Sequence, residues 1–319
     1  MNSYTYENKK FSINNNTIYP ADEYIELFDM NKELKWLDIN RSINIDTILL
    51  SNKFNGIIKL SDNIKNLYLS KDFNQSLNDD MVKNIKDIKL SIYDKSILLY
   101  ESLDKLYNTN ISSMTINSGY FTDLTKTVFP EKLKKLKIRN CTINQSIDYL
   151  FPDSLEELII ENSSFETANI NYLPYNLKLF KIICICDDIA PNINYVNPNL
   201  EFLDVNLEHP VNINTENSNE LKIFKYNQYG KNIINKTTLS NSIEKLVIEN
   251  NCYKVLTITD LPDKLNAIDI INSISKCNKN QLYLSLNKKS TVFDVDYSDE
   301  QCIKLRLSDN QHKRKFTCY

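Results

Sequence analysis

The feature that most constrains this chain is a run of apolar residues spaced as L-x-x-L-x-L that returns at a nearly constant interval. It reads Leu133, Leu136, Ile138; Leu155, Leu158, Ile160; Leu177, Phe180, Ile182; Leu200, Leu203, Val205; Leu221, Phe224, Tyr226; Ile243, Leu246, Ile248; and Leu265, Ile268, Ile270. The middle members stand 22, 22, 23, 21, 22 and 22 residues apart, by subtraction of consecutive positions. The last two members of each copy are two residues apart, which is the period of a strand with one buried face. The longer interval is that of a repeat whose copies stack. Each copy is therefore expected to supply one short strand, neighbouring strands to pair in parallel, and the apolar members to line a continuous core. No copy can bury its apolar face alone, so the array must fold as a solenoid.

Looser copies lie upstream at Ile45, Ile48, Leu50; Ile64, Leu67, Leu69; Ile85, Ile88, Leu90; and Ile111, Met114, Ile116. The long step before the last of these contains Lys95 to Tyr107, whose apolar positions suit one face of a short helix inserted on the convex side. Pro130, Pro152, Pro174 and Pro262 each precede the first apolar member by three residues, and Pro198 precedes Leu200 by two. Proline lacks an amide donor and fixes φ, so this slot is expected to be the turn that leads into the strand. Asn140, Asn162, Asn206, Asn250 and Asn272 fall on multiples of 22 just after the strand, where stacked copies are expected to form a ladder of turn asparagines. The remaining stretches should be turns, extended pieces and occasional 3₁₀.

This frame is that of a leucine-rich-repeat solenoid, with a parallel sheet on the concave face. The stretches Phe73-Asn74-Gln75-Ser76-Leu77, Phe54-Asn55-Gly56-Ile57 and Ile143-Asn144-Gln145-Ser146-Ile147, together with Leu173-Pro174-Tyr175-Asn176-Leu177 and Leu261-Pro262-Asp263-Lys264-Leu265, resemble the FNIP repeat. That leucine-rich-repeat variant is expanded in social amoebae and in giant viruses that infect amoebae. The resemblance implies host cytoplasm or a virion as the location for a viral chain, and it implies a link to F-box adaptors of ubiquitin ligases. Tyr19 to Phe28 begins like an F-box, but Leu34, Leu37 and Ile39 follow too soon for that helical module, and a capping helix on the first repeat is expected instead. The expected organisation is an N-terminal cap over 1–44, repeats over 45–278, and a C-terminal cap with a short basic tail over 279–319. Leu282, Leu284 and Leu286, then Cys302, Leu305 and Leu307, are expected closing strands, and His312-Lys313-Arg314-Lys315 a solvated end.

A chain of 319 residues would ordinarily divide into domains, but a repeat array grows without splitting. With 38 basic and 41 acidic residues the formal charge is -3, so no global field draws it to nucleic acid or anionic lipid. No window approaches the ~20 apolar residues that span a bilayer, and no signal-peptide pattern opens the chain. A cytoplasm-like compartment is expected, with the seven scattered cysteines reduced. Cys184-Ile185-Cys186 could begin a metal site, yet His209 and His312 stand at no ligand spacing from it, and turn or core cysteines are the simpler reading. No metal or cofactor is expected.

No base beside a nucleophile, phosphate loop or dinucleotide fingerprint is legible, so the chain reads as a non-enzymatic binding module. The strand residues that alternate with the core should face the concave surface: Lys135, Lys137, Arg139; Glu157, Ile159, Glu161; Leu179, Lys181, Ile183; Phe202, Asp204, Asn206; Ile223, Lys225, Asn227; Lys245, Val247, Glu249. Ile159, Leu179, Ile183, Phe202, Ile223 and Val247 are apolar among them and form the candidate partner-binding patch. The same residues also suit the β-propensity of a parallel sheet, or a covering loop, and both alternatives stay open at this point. The expected partner is a protein, through an adaptor role or as a structural component of an assembly such as a virus particle.

Overall fold

The computed structural model describes residues 2–6, 9–14, 17–20, 36–38, 47–49, 57–60, 62–69, 73–75, 77, 82–92, 104–124, 127–143, 150–165, 169–184, 192–194, 197–207, 213–228, 239–250, 255–259, 262–272, 280–286, 289–295, 302–310 and 313–318. The fold is a parallel β solenoid of the leucine-rich-repeat type, divided into two compact units: Met1–Asn144 with Leu150–Leu155, and Gln145–Tyr149 with Glu156–Tyr319.

The first unit opens with β1 (Asn2–Tyr6), β2 (Lys9–Asn14) and β3 (Thr17–Pro20), joined antiparallel in that order. β4 (Trp36–Asp38) pairs in parallel with β6 (Ile57–Lys59) in a small separate sheet. β5 (Thr47–Leu49) pairs in parallel with β3, and β7 (Asn66–Tyr68), β8 (Asp87–Ile92), β9 (Ser113–Asp123) and β10 (Lys135–Ile143) extend the ladder in sequence order. The parallel sheet thus begins at Thr17, inside the segment expected to be a cap, because Ile18 stands opposite Ile48 in register. Tyr19 and Pro20, expected to open a capping helix, instead finish β3, and residues 21–28 lie outside the described residues. Of the helix expected across Lys95 to Tyr107, the described part is a 3₁₀ turn at Asp104–Leu106; residues 95–103 lie outside the described residues.

The second unit carries the regular repeats. β11 (Glu157–Glu161), β14 (Leu179–Cys184), β16 (Phe202–Leu207), β17 (Ile223–Gln228), β18 (Lys245–Asn250) and β20 (Ala267–Asn272) pair in parallel, each with the next. Extended pieces lie between these strands: β12 (Ser164–Phe165), β13 (Asn169–Ile170), β15 (Asn192–Ile193) and β19 (Val255–Thr259). β13 pairs in parallel with β15, and Ile193 bridges to Ile213. β21 (Asn280–Leu286) pairs in parallel with β19 and antiparallel with β22 (Lys289–Val295). The main ladder ends differently, because β23 (Cys302–Asn310) runs antiparallel to β20 and β24 (Lys313–Cys318) antiparallel to β23. Lys313 to Lys315, expected in a solvated end, therefore belong to a strand. An antiparallel hairpin at the end of a repeat ladder gives the last parallel strand a partner, and charged residues on the outermost strand discourage further pairing.

The reason the strands form where they do is visible in the burial. All three apolar members of the copies centred on Leu136, Leu158, Phe180, Leu203, Phe224 and Leu246 are buried, as are those centred on Leu67, Ile88 and Met114. Phe73, Leu77 and Ile143, from the FNIP-like stretches, are buried as well. Each strand is preceded by a turn in which an amide reaches back three residues: Leu133 N to Pro130 O at 3.1 Å, Leu155 N to Pro152 O at 3.1 Å, Leu177 N to Pro174 O at 3.0 Å, Leu200 N to Asn197 O at 3.2 Å, and Leu265 N to Pro262 O at 3.2 Å. Four of the prolines hold this slot as expected. Pro198 does not: it stands two residues before Leu200, so Asn197 takes the slot and Pro198 the next position.

Asn197 also binds the preceding turn. Its buried Nδ2 donates to Pro174 O and, at 2.9 Å, to Tyr175 O, while its Oδ1 accepts Asn199 N at 2.6 Å. Ser240, in the corresponding slot further on, donates from Oγ to Ser218 O at 2.7 Å. The expected asparagine ladder is partly different. Asn140 and Asn162 adopt left-handed φ of 54° and 49°, a conformation that asparagine tolerates better than other non-glycine residues. Asn206 instead lies within β16, and Asn250 and Asn272 oppose each other in β18 and β20. The side-chain rungs are Asn140 Nδ2 to Asn117 Oδ1 at 2.9 Å, Asn194 Nδ2 to Asn171 Oδ1 at 2.8 Å and Asn227 Nδ2 to Asn206 Oδ1 at 2.6 Å.

Candidate partner-binding face

Parallel pairing without register slips turns the columns of the second unit into three rows on the sheet face opposite the core. The first is Glu157, Leu179, Phe202, Ile223, Lys245, Ala267. The second is Ile159, Lys181, Asp204, Lys225, Val247, Asp269. The third places Glu161, Ile183 and Asn206 in sequence, then Asn227, Glu249 and Ile271. Neighbours along a row are about 4.8 Å apart and diagonal neighbours on one face about 7 to 8 Å apart, within reach of long side chains.

Five of the six candidate residues form an arc on this grid. Leu179, Phe202 and Ile223 are consecutive in the first row. Ile159 and Val247 stand in the second row, diagonal to Leu179 and to Ile223, and close the arc at either end. Ile183 stands in the third row, diagonal to Ile159 across Lys181 from Leu179, and adjoins that end of the arc. All six side chains are partly buried by their neighbours and partly open on the sheet surface.

The charges inside the arc form a network. Asp204, with only 3% of its side chain exposed, has Oδ2 3.6 Å from Lys181 Nζ and 3.7 Å from Lys225 Nζ. Lys225 Nζ is held tightly by Glu249 Oε1 at 2.5 Å, and Glu249 Oε2 accepts Asn206 Nδ2 at 3.1 Å. Lys245 Nζ and Asp269 Oδ2 meet at 2.6 Å in a neighbouring pair. Among the described residues, Asp204 Oδ1 is a buried oxygen with no hydrogen-bond partner. Burial raises the Asp204 pKa above the usual carboxylate range, against the lowering pull of Lys225 and Lys181, and the charge of Glu249 adds to the rise. Burial lowers the Lys225 pKa, but the Glu249 hydrogen bond and the Asp204 charge outweigh it, so the net shift is upward.

The alternation of residue types showed which side chains face outward, but the network was missed at the sequence level. Its signal was available, since aligning the copies by their middle members puts Lys181, Asp204 and Lys225 on one level with alternating sign. Elsewhere, Cys141 is a buried free thiol that donates to Arg139 O at 3.2 Å, and burial pushes its pKa up to about 12. Cys184 ends β14, while Cys186, His209 and His312 lie outside the described residues. Among the described residues no group of His, Cys, Asp and Glu side chains could hold a metal ion, and no helix is long and apolar enough to cross a membrane.

No protein-family model matches the chain. No curated protein matches it either. Among solved structures it is similar to CroV588, a circular LRR protein, at 15% sequence identity and a TM-score of 0.47. The match covers 86% of this chain and 50% of the other, so this chain spans about half the length of that protein.

Proposed function

We propose that this chain is a non-enzymatic interaction module that holds a protein partner against the exposed sheet face of its second unit. The observation that carries this reading is the contiguous arc of Ile159, Leu179, Phe202, Ile223 and Val247 around an ion-paired centre. An apolar cluster bordered by charge is the usual composition of a protein-binding patch, with an aromatic residue at its middle as the expected anchor. The carboxylates and lysines within the arc are engaged with one another, an arrangement suited to shaping a surface rather than to proton transfer. The burial of Phe73, Leu77 and Ile143 supports a place among FNIP-type repeats, and with it an amoebal or viral setting.

The test is affinity capture on the intact protein from amoebal lysate, set against a Phe202→Asp, Ile223→Asp variant shown to fold by circular dichroism. A defined partner retained by the parent and lost by the variant supports the reading. Identical capture profiles exclude this face and turn attention to assembly through another surface.

A further inference from the structure

Three lysines stand on this face between β14 and β18, and their satisfaction is unequal. Lys225 and Lys245 each have a carboxylate oxygen at salt-bridge contact, 2.5 Å and 2.6 Å away. Lys181 does not. Among the described residues the one carboxylate within reach of its ammonium is Asp204 at 3.6 Å, and that oxygen is shared with Lys225. Charge-assisted N–H···O bonds close to about 2.7 to 2.9 Å, so this contact leaves ammonium hydrogens underused.

The surroundings of Lys181 are apolar on three sides. Leu179 and Ile183 flank it along β14, Ile159 flanks it along the row, and 30% of its side chain stays open to the outside. A lysine set among aliphatic side chains gains from a carboxylate that can close to full charge-assisted contact with its ammonium. We propose that Lys181 is the carboxylate-recognition point of this face, and that the partner presents a peptide segment in which one Asp or Glu lies between apolar residues. This rests on the arc being the binding face and names what the arc selects. The aliphatic ring of Ile159, Leu179 and Ile183 receives the flanking apolar side chains, and the carboxylate fills the donor positions that Asp204 leaves open. Ile183, across Lys181 from Leu179, forms the far wall of this pocket.

The experiment is selection of a displayed random dodecapeptide library on the full-length protein, with the recovered peptides remeasured by fluorescence anisotropy. Recovered sequences are expected to share an acidic residue bordered by apolar ones. Changing that residue to its amide, or changing Lys181→Met in the protein, should each weaken binding at least about tenfold, and together no further, since both remove the same pair. Lys181→Arg keeps the charge and should retain binding, which separates loss of recognition from loss of folding. Recovery of basic or uncharged sequences, no recovery at all, or acidic peptides indifferent to Lys181→Met would each overturn the assignment. If lysate capture still depends on Phe202 and Ile223 in any of those cases, the face stands and the carboxylate preference falls.

Discussion

Asn197 offers a sharp test of how successive turns are held together. The residue fills a slot that proline holds in four other copies, and its buried amide closes three good contacts: Nδ2 to Pro174 O, Nδ2 to Tyr175 O at 2.9 Å, and Asn199 N to its Oδ1 at 2.6 Å. A net value near 1 kcal/mol per hydrogen bond puts their sum at about 3 kcal/mol, and Pro174 O keeps its bond from Leu177 N when the side chain is removed. Asn197→Ala is therefore expected to destabilise the full chain by about 2 to 4 kcal/mol, read as a lower midpoint in urea unfolding with slope unchanged. Asn197→Asp should be worse at neutral pH, because it keeps the acceptor for Asn199 N but turns a carboxylate toward two carbonyl oxygens. A loss under about 1 kcal/mol for the alanine variant, or an aspartate variant as stable as the parent, would show that these bonds exchange evenly with water and do not clamp the turns.

Three other outcomes follow from the same structure. At Asn140 and Asn162, where φ is 54° and 49°, glycine should be nearly neutral and alanine should cost about 1 to 2 kcal/mol more than glycine, measured by urea unfolding of the paired variants. Because burial raises the Asp204 pKa, the native state keeps that proton to higher pH than the unfolded chain, and ionised Asp204 subtracts stability as pH climbs from the ordinary Asp range through the raised value. Asp204→Asn should thus match the parent in acid and be the more stable of the two at neutral pH; a less stable amide there would mean the lysine contacts outweigh burial. Cys141, with a pKa pushed up to about 12, should resist iodoacetamide in the native protein and react after urea unfolding, as peptide mass spectrometry would show; rapid native labelling would contradict its burial.

The sequence made the regular part of the fold readable because burial there repeats without interruption. Leu158, Phe180 and Leu203 are buried in the frame that their spacing implies, and the outward residues between them follow from the two-residue period. The ends were harder for a physical reason. Ile18 joins the ladder opposite Ile48, but a long segment separates them and no second copy of the apolar motif announces β3. At the other end β23 pairs antiparallel with β20, a partner chosen by the need to cover an edge rather than by the repeat. Asn197 rather than Pro198 holds the turn slot because Leu200 N reaches back three residues, as in the other copies, and Pro198 precedes Leu200 by two. The candidate face was legible as six apolar positions, yet which of them adjoin depends on cross-strand register, and that register placed Ile159 between Leu179 and Ile183 and assembled the network around Asp204.

The most direct test of the binding face is lysine footprinting, in which reductive dimethylation of the free protein and of its complex with the captured partner is compared by peptide mass spectrometry. The account predicts that Lys181 and Lys245 on the face become protected, while the exposed Lys105 and Lys264 in turns label equally in both samples. Unchanged labelling of Lys181 and Lys245, with protection elsewhere, would contradict it and place the partner on another surface.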